Sequence, residues 1–343
     1  MNTTDETSTP VAPQPGRVSV TSVLKWTLLT LVLGLVVWRA RTLWLEGRQH
    51  GGQLEFSAGW LLAAAGIYLV GWLPSLWYWR RLLADAGHPV SFPVAARAYF
   101  CGHLGKYVPG KAAVLVIRAA LLKPHGVPPG VAALTATWEA LVLMGVGGVL
   151  GVALAPSLLP QETIERLPAP LDRLVSSPLL LAAGILLLAL LAFPLVTRLV
   201  TRVAAKMAGT SSANATVSTR RLLIGVGVLV LVWICHGLSL GWTLQGLGGE
   251  PLEWSRLPGW TAAVGLATAI GFVALFAPGG VGVREGLMIE SLAQAGIAQQ
   301  QAVAASIVLR GIWLAAEIGT AAVLYYSGDT STPPTTDTPE PSD

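Results

Sequence analysis

The sequence predicts an all-α, polytopic helical membrane protein of about six spanning helices and two opposed re-entrant hairpins, each broken at Pro-Gly. Three observations predict it. Of 343 residues, 53% are hydrophobic and only 12% charged, with mean hydropathy +0.62, where a soluble domain carries roughly 25% charge. Several apolar runs approach the roughly 20 helical residues that cross a hydrocarbon core. Two of the apolar stretches are interrupted by Pro109-Gly110 and Pro278-Gly279. Proline removes a donor and clashes with the preceding turn, and glycine costs backbone entropy, so a helix breaks at such a pair.

Residues 1–20, rich in Thr, Pro, Ser and Gln, read as a disordered tail. The apolar run that follows starts late and lacks a small-residue cleavage site, so it is not a signal peptide. A single membrane domain is expected over 21–327. Its first span is about 23–38 and its second about 57–79, ending on Trp77-Tyr78-Trp79-Arg80-Arg81, an aromatic belt with interfacial arginines. The segment 92–108 carries Arg97, His103 and Lys106, too polar for a lipid-facing span, and 111–122 is too short to cross. Together they read as a hairpin buried in protein, where irregular backbone at membrane depth is allowed. Spans at about 131–154, 178–199 and 222–244 follow. The second broken pair, about 260–277 and 283–295, comes next, then a last span at about 303–326. The tail 328–343 is Thr/Pro/Asp-rich and reads as disordered.

Charge sets the expected orientation. The loop 198–221 holds Arg198, Arg202, Lys206, Arg220 and Arg221 and no acid, which marks it as cytoplasmic. Both termini then fall on the cytoplasmic side of the cell membrane, and the two hairpins dip from opposite faces, the first from the cytoplasm and the second from outside, as an inverted repeat. Arg39, Arg41 and Arg48 run against this rule, and Arg39 and Arg41 are expected to snorkel at the interface. The formal net charge of +4 is small and gives no support for nucleic-acid binding. Cys101 and Cys235 both lie in apolar stretches, which argues against a disulfide framework. The thirteen tryptophans read mainly as interfacial anchors.

A restarted helix presents unpaired N–H groups and a positive dipole end, and cations beside it make an anion site for which phosphate is the obvious occupant. The candidate binding residues at the first break are Lys106, Tyr107, Pro109, Gly110, Lys111 and Arg118. At the second they are Pro278, Gly279, Gly280, Gly282, Arg284 and Glu285. Paired Gly/Pro-interrupted segments in two halves point to a transporter's midplane site. An arginine at mid-depth costs at least about 2.5 kcal/mol, so Arg118 and Arg284 are expected to find an acid or a wet cavity. Glu139, Glu285 and Glu317 are the acids available. Glu139 and Glu317 are read as proton-coupling or counter-charge residues, and Arg310 lies two turns before Glu317, close enough for an electrostatic link. His103 and His236 show no ligand-like spacing, so they read as satisfied core histidines, and neither a metal nor any other cofactor is implied. The segment 278–282 is no nucleotide loop, since no strand precedes it and no Lys-Ser pair ends it. The runs Gly145-Val146-Gly147-Gly148 and Gly225-Val226-Gly227 read as helix-packing positions.

Two stretches, Leu104-Gly105-Lys106-Tyr107-Val108-Pro109-Gly110-Lys111 with Arg118, and Pro278-Gly279-Gly280-Val281-Gly282-Val283-Arg284-Glu285, resemble the paired signatures of the lysylphosphatidylglycerol synthase transmembrane region family. The resemblance spans nearly all of the membrane part. It implies flippase-like handling of a phospholipid or polyprenyl-phosphate-linked lipid, with membrane lipids as the partners. A homo-oligomer and a separate lipid-modifying enzyme are left open. In bifunctional members a soluble aminoacyl transferase domain follows the membrane region; here 343 residues end soon after Tyr326, so lipid aminoacylation by this chain is not expected. The competing reading is a membrane-embedded enzyme or accessory subunit acting on a lipid-linked substrate. Against it, Glu46 and Glu55 are nine residues apart, poorly placed for a metal in the first outer loop, and no Glu/His cluster of a metalloprotease occurs. DedA-type transporters, also built on opposed hairpins, fit the motifs less well but keep polyprenyl phosphate among the candidate substrates.

Overall fold

The computed structural model describes residues 56–108, 113–160, 218–248, 252–273 and 282–327, with isolated positions between 162 and 198. Among the described residues there is no strand, and eight α-helices are joined by short 3₁₀ turns. They are α1 (Ala58–Asp85), α2 (Phe92–His103), α3 (Ala113–Leu122), α4 (Pro129–Leu154), α5 (Thr219–Gly246), α6 (Leu257–Val273), α7 (Val283–Gln294) and α8 (Gln299–Tyr326). The chain is a polytopic helical membrane protein. Four helices, α1, α4 with its extending turn, α5 and α8, are long and apolar enough to cross a membrane. They correspond to four of the six spans expected. The other two, 23–38 and 178–199, and both tails lie outside the described residues.

The four remaining helices form two hairpins. At 12 and 10 residues α2 and α3 are too short to cross, and α6 and α7 have 17 and 12. In each pair the arms pack on each other. The first hairpin closes because its facing residues are small. A Cβ on Gly105 would lie 2.4 Å from the backbone N of Val114, and one on Gly102 would lie 2.5 Å from Cγ of Arg118. At the tip the chain unwinds through a 3₁₀ turn, Leu104–Tyr107, to Val108, which is extended at φ −79°, ψ 132°. Extended backbone is what the residue before a proline must adopt. The second hairpin restarts at Gly282, whose φ of 87° is open to glycine and strained for L side chains. Gly282 N donates to Glu285 Oε2 at 2.6 Å, which caps α7.

Contacts along the helices fix their directions. α1 and α5 run antiparallel, since Ser57 N donates to Gly246 O (2.8 Å) at one end and Arg221 forks onto Asp85 (2.5 and 2.8 Å) at the other. The first hairpin opens at the Asp85 end, where the guanidinium of Arg97 lies over the ring of Tyr325 near the end of α8. The second opens at the other end, where Gly259 packs on Ser157 and Leu158 just past α4. The hairpins therefore enter from opposite ends. The first arm of each also packs on the long helix that follows the other, α2 on α8 and α6 on α4. That exchange is what an internal two-fold between the halves produces.

Two expectations need correction. α1 does not end at Trp79: it continues to Asp85 because Leu82 and Leu83 are buried, while Arg80 Nε donates to Val90 O at 2.7 Å. The aromatic belt there is largely core. Tyr78 and Trp79 are fully buried, and so to within a few per cent are Trp72, Trp138, Trp233, Trp260 and Trp313. These tryptophans fill a core whose neighbours are glycines. A Cβ on Gly241 would lie 2.4 Å from the Trp260 ring, one on Gly147 2.2 Å from Trp233 and one on Gly225 2.5 Å from Tyr78, so the glycine-packing expectation holds at Gly147 and Gly225, whereas a Cβ on Gly145 or Gly227 would meet nothing within 4 Å.

Candidate functional site

The ends of the two hairpins meet over a cavity of about 390 Å³. Lys106 and Tyr107 reach it from the first tip and Arg284 from the first turn of α7; Arg118, Glu139 and Arg310 complete its charged wall. Pro109, Gly110 and Lys111, and Pro278, Gly279 and Gly280, lie outside the described residues. The described residues flanking both breaks thus share one cavity.

The charges are organised as pairs. Glu139 Oε2 accepts from Arg118 Nη1 at 2.9 Å. Its other oxygen accepts from Ser75 Oγ (2.5 Å) and Tyr99 OH (3.0 Å). Arg118 is 2% exposed, its guanidinium lying 4.2 Å from the Tyr99 ring centroid and 4.5 Å from that of Trp79. This cluster ties together α1, α2, α3 and α4. The second pair joins Lys106 Nζ to Glu317 Oε1 at 2.5 Å. Glu317 also accepts from Tyr68 OH, and from Tyr107 OH at 3.0 Å. Here the acid is 1% exposed but the lysine 27%, so only the cationic end meets the cavity. In the third, Arg310 Nη1 donates to Glu285 Oε1 at 2.9 Å. The expected link between Arg310 and Glu317 along one helix face gives way to two pairs across helices, because the hairpin ends bring Glu285 and Lys106 closer. Glu139 and Glu317 both act as counter-charges in this geometry.

Arg284 differs from the other three cations. Its guanidinium lies 4.5 Å from the centroid of the Trp313 ring, and among the described residues it has no hydrogen bond and no salt bridge. Among the described side chains on and directly behind the wall, four cations face three carboxylates, and Arg284 is the cation outside the three ion pairs.

The histidines depart from the reading as satisfied core residues. His103 and His236 both line the cavity, and His103 Nδ1 and His236 Nε2 have no hydrogen-bond partner. His236 is 3% exposed, set against Tyr68 and Trp72 with ring centroids 4.9 Å away in each case. Sequence reasoning also missed Tyr68, Trp72 and Ser75. A signal for them exists. Together with Trp79 they sit at i, i+4, i+7 and i+11 of α1, one helix face carrying every polar and aromatic group that α1 turns to the site.

Among the described residues no group of three or more His, Cys, Asp and Glu side chains is placed to hold a metal. The arrangement offers instead a cation at a helix start, a half-exposed Lys106–Glu317 ion pair and a wall of mixed aromatic and aliphatic side chains. No curated protein matches the chain. The model of one family, lysylphosphatidylglycerol synthase TM region, matches residues 26–316, and the chain belongs to that family.

Proposed function

We propose that this protein moves an anionic lipid, with a phospholipid or polyprenyl-phosphate headgroup, between the leaflets of a cell membrane. The observation that carries the reading is Arg284, a cation with no salt bridge among the described residues, at the start of α7 and facing a cavity between two opposed hairpins. A charge in hydrocarbon is costly, and here the Arg284 guanidinium, the positive end of α7 and Lys106 stand in for water around a phosphate. The cavity volume suits a headgroup, at the lower end of the range for small-molecule sites of roughly 300–1,000 Å³, while the tails stay in the bilayer. An arriving phosphate competes with Glu317 for Lys106. Glu317 keeps its hydroxyl donors Tyr68 and Tyr107, or takes a proton, and returns to Lys106 on release. That exchange is the candidate route for coupling to a proton gradient. Reconstitution into vesicles with fluorescent lipids tests the reading: anionic lipids should cross at least tenfold faster than in protein-free vesicles. Equal rates for every anionic headgroup tried would overturn it.

The orientation follows from charge. Arg80, Arg81, Lys123, Arg220 and Arg221 gather at the Asp85 end of the helices, against Glu253, Arg256 and Glu290 at the other. The cation-rich end is assigned to the cytoplasm, together with the end of α8. An impermeant thiol reagent applied outside intact cells should label Glu290→Cys and spare Asp85→Cys. The opposite pattern inverts the assignment.

A further inference from the structure

Arg284 is half-buried on a long side chain, and the contact that places its guanidinium is the face of Trp313. Given that the protein carries an anionic lipid as proposed above, we infer that Ser239, on α5 and outside the cavity wall, is a positioning residue for the lipid phosphate. It anchors the Trp313 indole, and the indole holds the Arg284 guanidinium where a headgroup arrives. An arginine gives up rotamer freedom when it grips a phosphate, and a guanidinium already held in place gives up less. Among the described residues no hydrogen bond or salt bridge holds Arg284. A cation over an aromatic face lies where the ring puts it, so the position of Trp313 decides the position of the charge.

Trp313, on α8, is fixed at two places by a single turn of α1. Its Nε1 donates to Ser239 Oγ at 2.9 Å, and Ser239 Oγ donates in turn to Ala64 O at 2.8 Å. A serine hydroxyl has one proton, so its commitment to Ala64 leaves the lone pairs facing the indole N–H, which can only donate. The Trp313 ring also stacks on Tyr68, one turn along α1 from Ala64, with centroids 4.3 Å apart and planes 10° apart. Ala64 and Ser239 are fully buried, and Tyr68 and Trp313 nearly so. The same Tyr68 donates its hydroxyl to Glu317, the acid paired with Lys106. One turn of α1 is therefore the common reference for a cation from each hairpin, Lys106 from the first and Arg284 from the second. Removing the Ser239 hydroxyl frees the polar edge of the indole and leaves every side chain of the cavity wall in place.

The test uses the full-length protein and a short-chain phosphatidylglycerol. In detergent, the half-saturating mole fraction of lipid is read from the rise in melting temperature; in vesicles, translocation of a fluorescent analogue is followed. Ser239→Ala should raise the half-saturating fraction at least about fivefold. Trp313→Phe keeps a ring for Arg284 and Tyr68 but has no N–H, so it breaks the same hydrogen bond without orphaning a buried donor, and it should raise the fraction as well. On a Trp313→Phe or an Arg284→Gln background, Ser239→Ala should add less than about twofold, since the path from serine to phosphate is already cut. A serine that only stabilises the fold would lower the melting temperature of the lipid-free protein and leave the half-saturating fraction unchanged, or would act by the same factor on every background. Either result overturns the inference and leaves the transport reading standing. Should Ser239→Ala fail to fold, Trp313→Phe decides alone, and a parental half-saturating fraction in that variant overturns the inference. If the parent protein is neither stabilised by the lipid nor moves it, the transport reading falls and the role of Ser239 with it.

Discussion

Replacing Glu139 by leucine is expected to destabilise the protein by about 3–5 kcal/mol, the usual cost of removing one partner from a buried ion pair. The reason is Arg118. It is 2% exposed and clasped between Trp79 and Tyr99, so without the carboxylate its charge stays in an apolar setting. Ser75 and Tyr99 lose their acceptor in the same step. Because the four donors and acceptors come from α1, α2, α3 and α4, the first hairpin loses its attachment to the long helices. Removing both charges is a different experiment. An Arg118→Met, Glu139→Leu double variant leaves no orphaned ion and should recover most of the loss, as buried pairs replaced by apolar groups of similar volume often do. Thermal melting in detergent, arranged as a double-mutant cycle, measures the coupling. A Glu139→Leu protein within about 1 kcal/mol of the parent would show that Arg118 is solvated from the cavity.

Much of this architecture was legible beforehand because it rests on strong local chemistry. Pro109-Gly110 and Pro278-Gly279 predict breaks where a lone proline does not, as Pro74 inside α1 shows, and the described residues beside them fit: Val108 is extended and Gly282 has a positive φ. Apolar runs of near-spanning length announced α1, α4, α5 and α8, and the Pro-Gly breaks with short arms, one of them polar, announced the hairpins. What the sequence could not supply was pairing. Four cations and three acids admit many matchings, and nothing in their spacing says that Lys106 reaches Glu317 across 211 positions of chain. That choice is made by tertiary packing, chiefly by glycines such as Gly105 that let the arms close. The tryptophans misled for a related reason. Composition cannot distinguish an amphipathic ring at a headgroup from one that fills the space above a glycine. Trp233 does the latter, its ring against Gly147 and its Nε1 donating to Leu143 O at 3.0 Å. His236 was misread because a lone histidine in an apolar helix usually finds a partner, and here aromatic rings occupy the surrounding positions instead.

Arg284→Gln should separate function from stability more cleanly than any other change at the site. Arg118, Lys106 and Arg310 each neutralise an acid, so removing any of them leaves a buried or half-buried carboxylate and confounds transport with unfolding. Arg284 forms no salt bridge among the described residues. Its loss removes a stacking contact with Trp313, worth about 0.5–2 kcal/mol for a cation over an aromatic face. It also relieves repulsion among the cavity's cations, so the melting temperature should move by only a few degrees. Transport of anionic lipids should fall at least tenfold, since the described cation outside the three ion pairs has gone. Arg284→Lys keeps the charge but loses the planar fork that meets two phosphate oxygens at once, and an intermediate rate is expected. Full transport in Arg284→Gln, with the protein folded and the vesicles sealed, would remove the cation on which the anion site rests and leave Lys106, already committed to Glu317, as the sole described cation able to exchange partners.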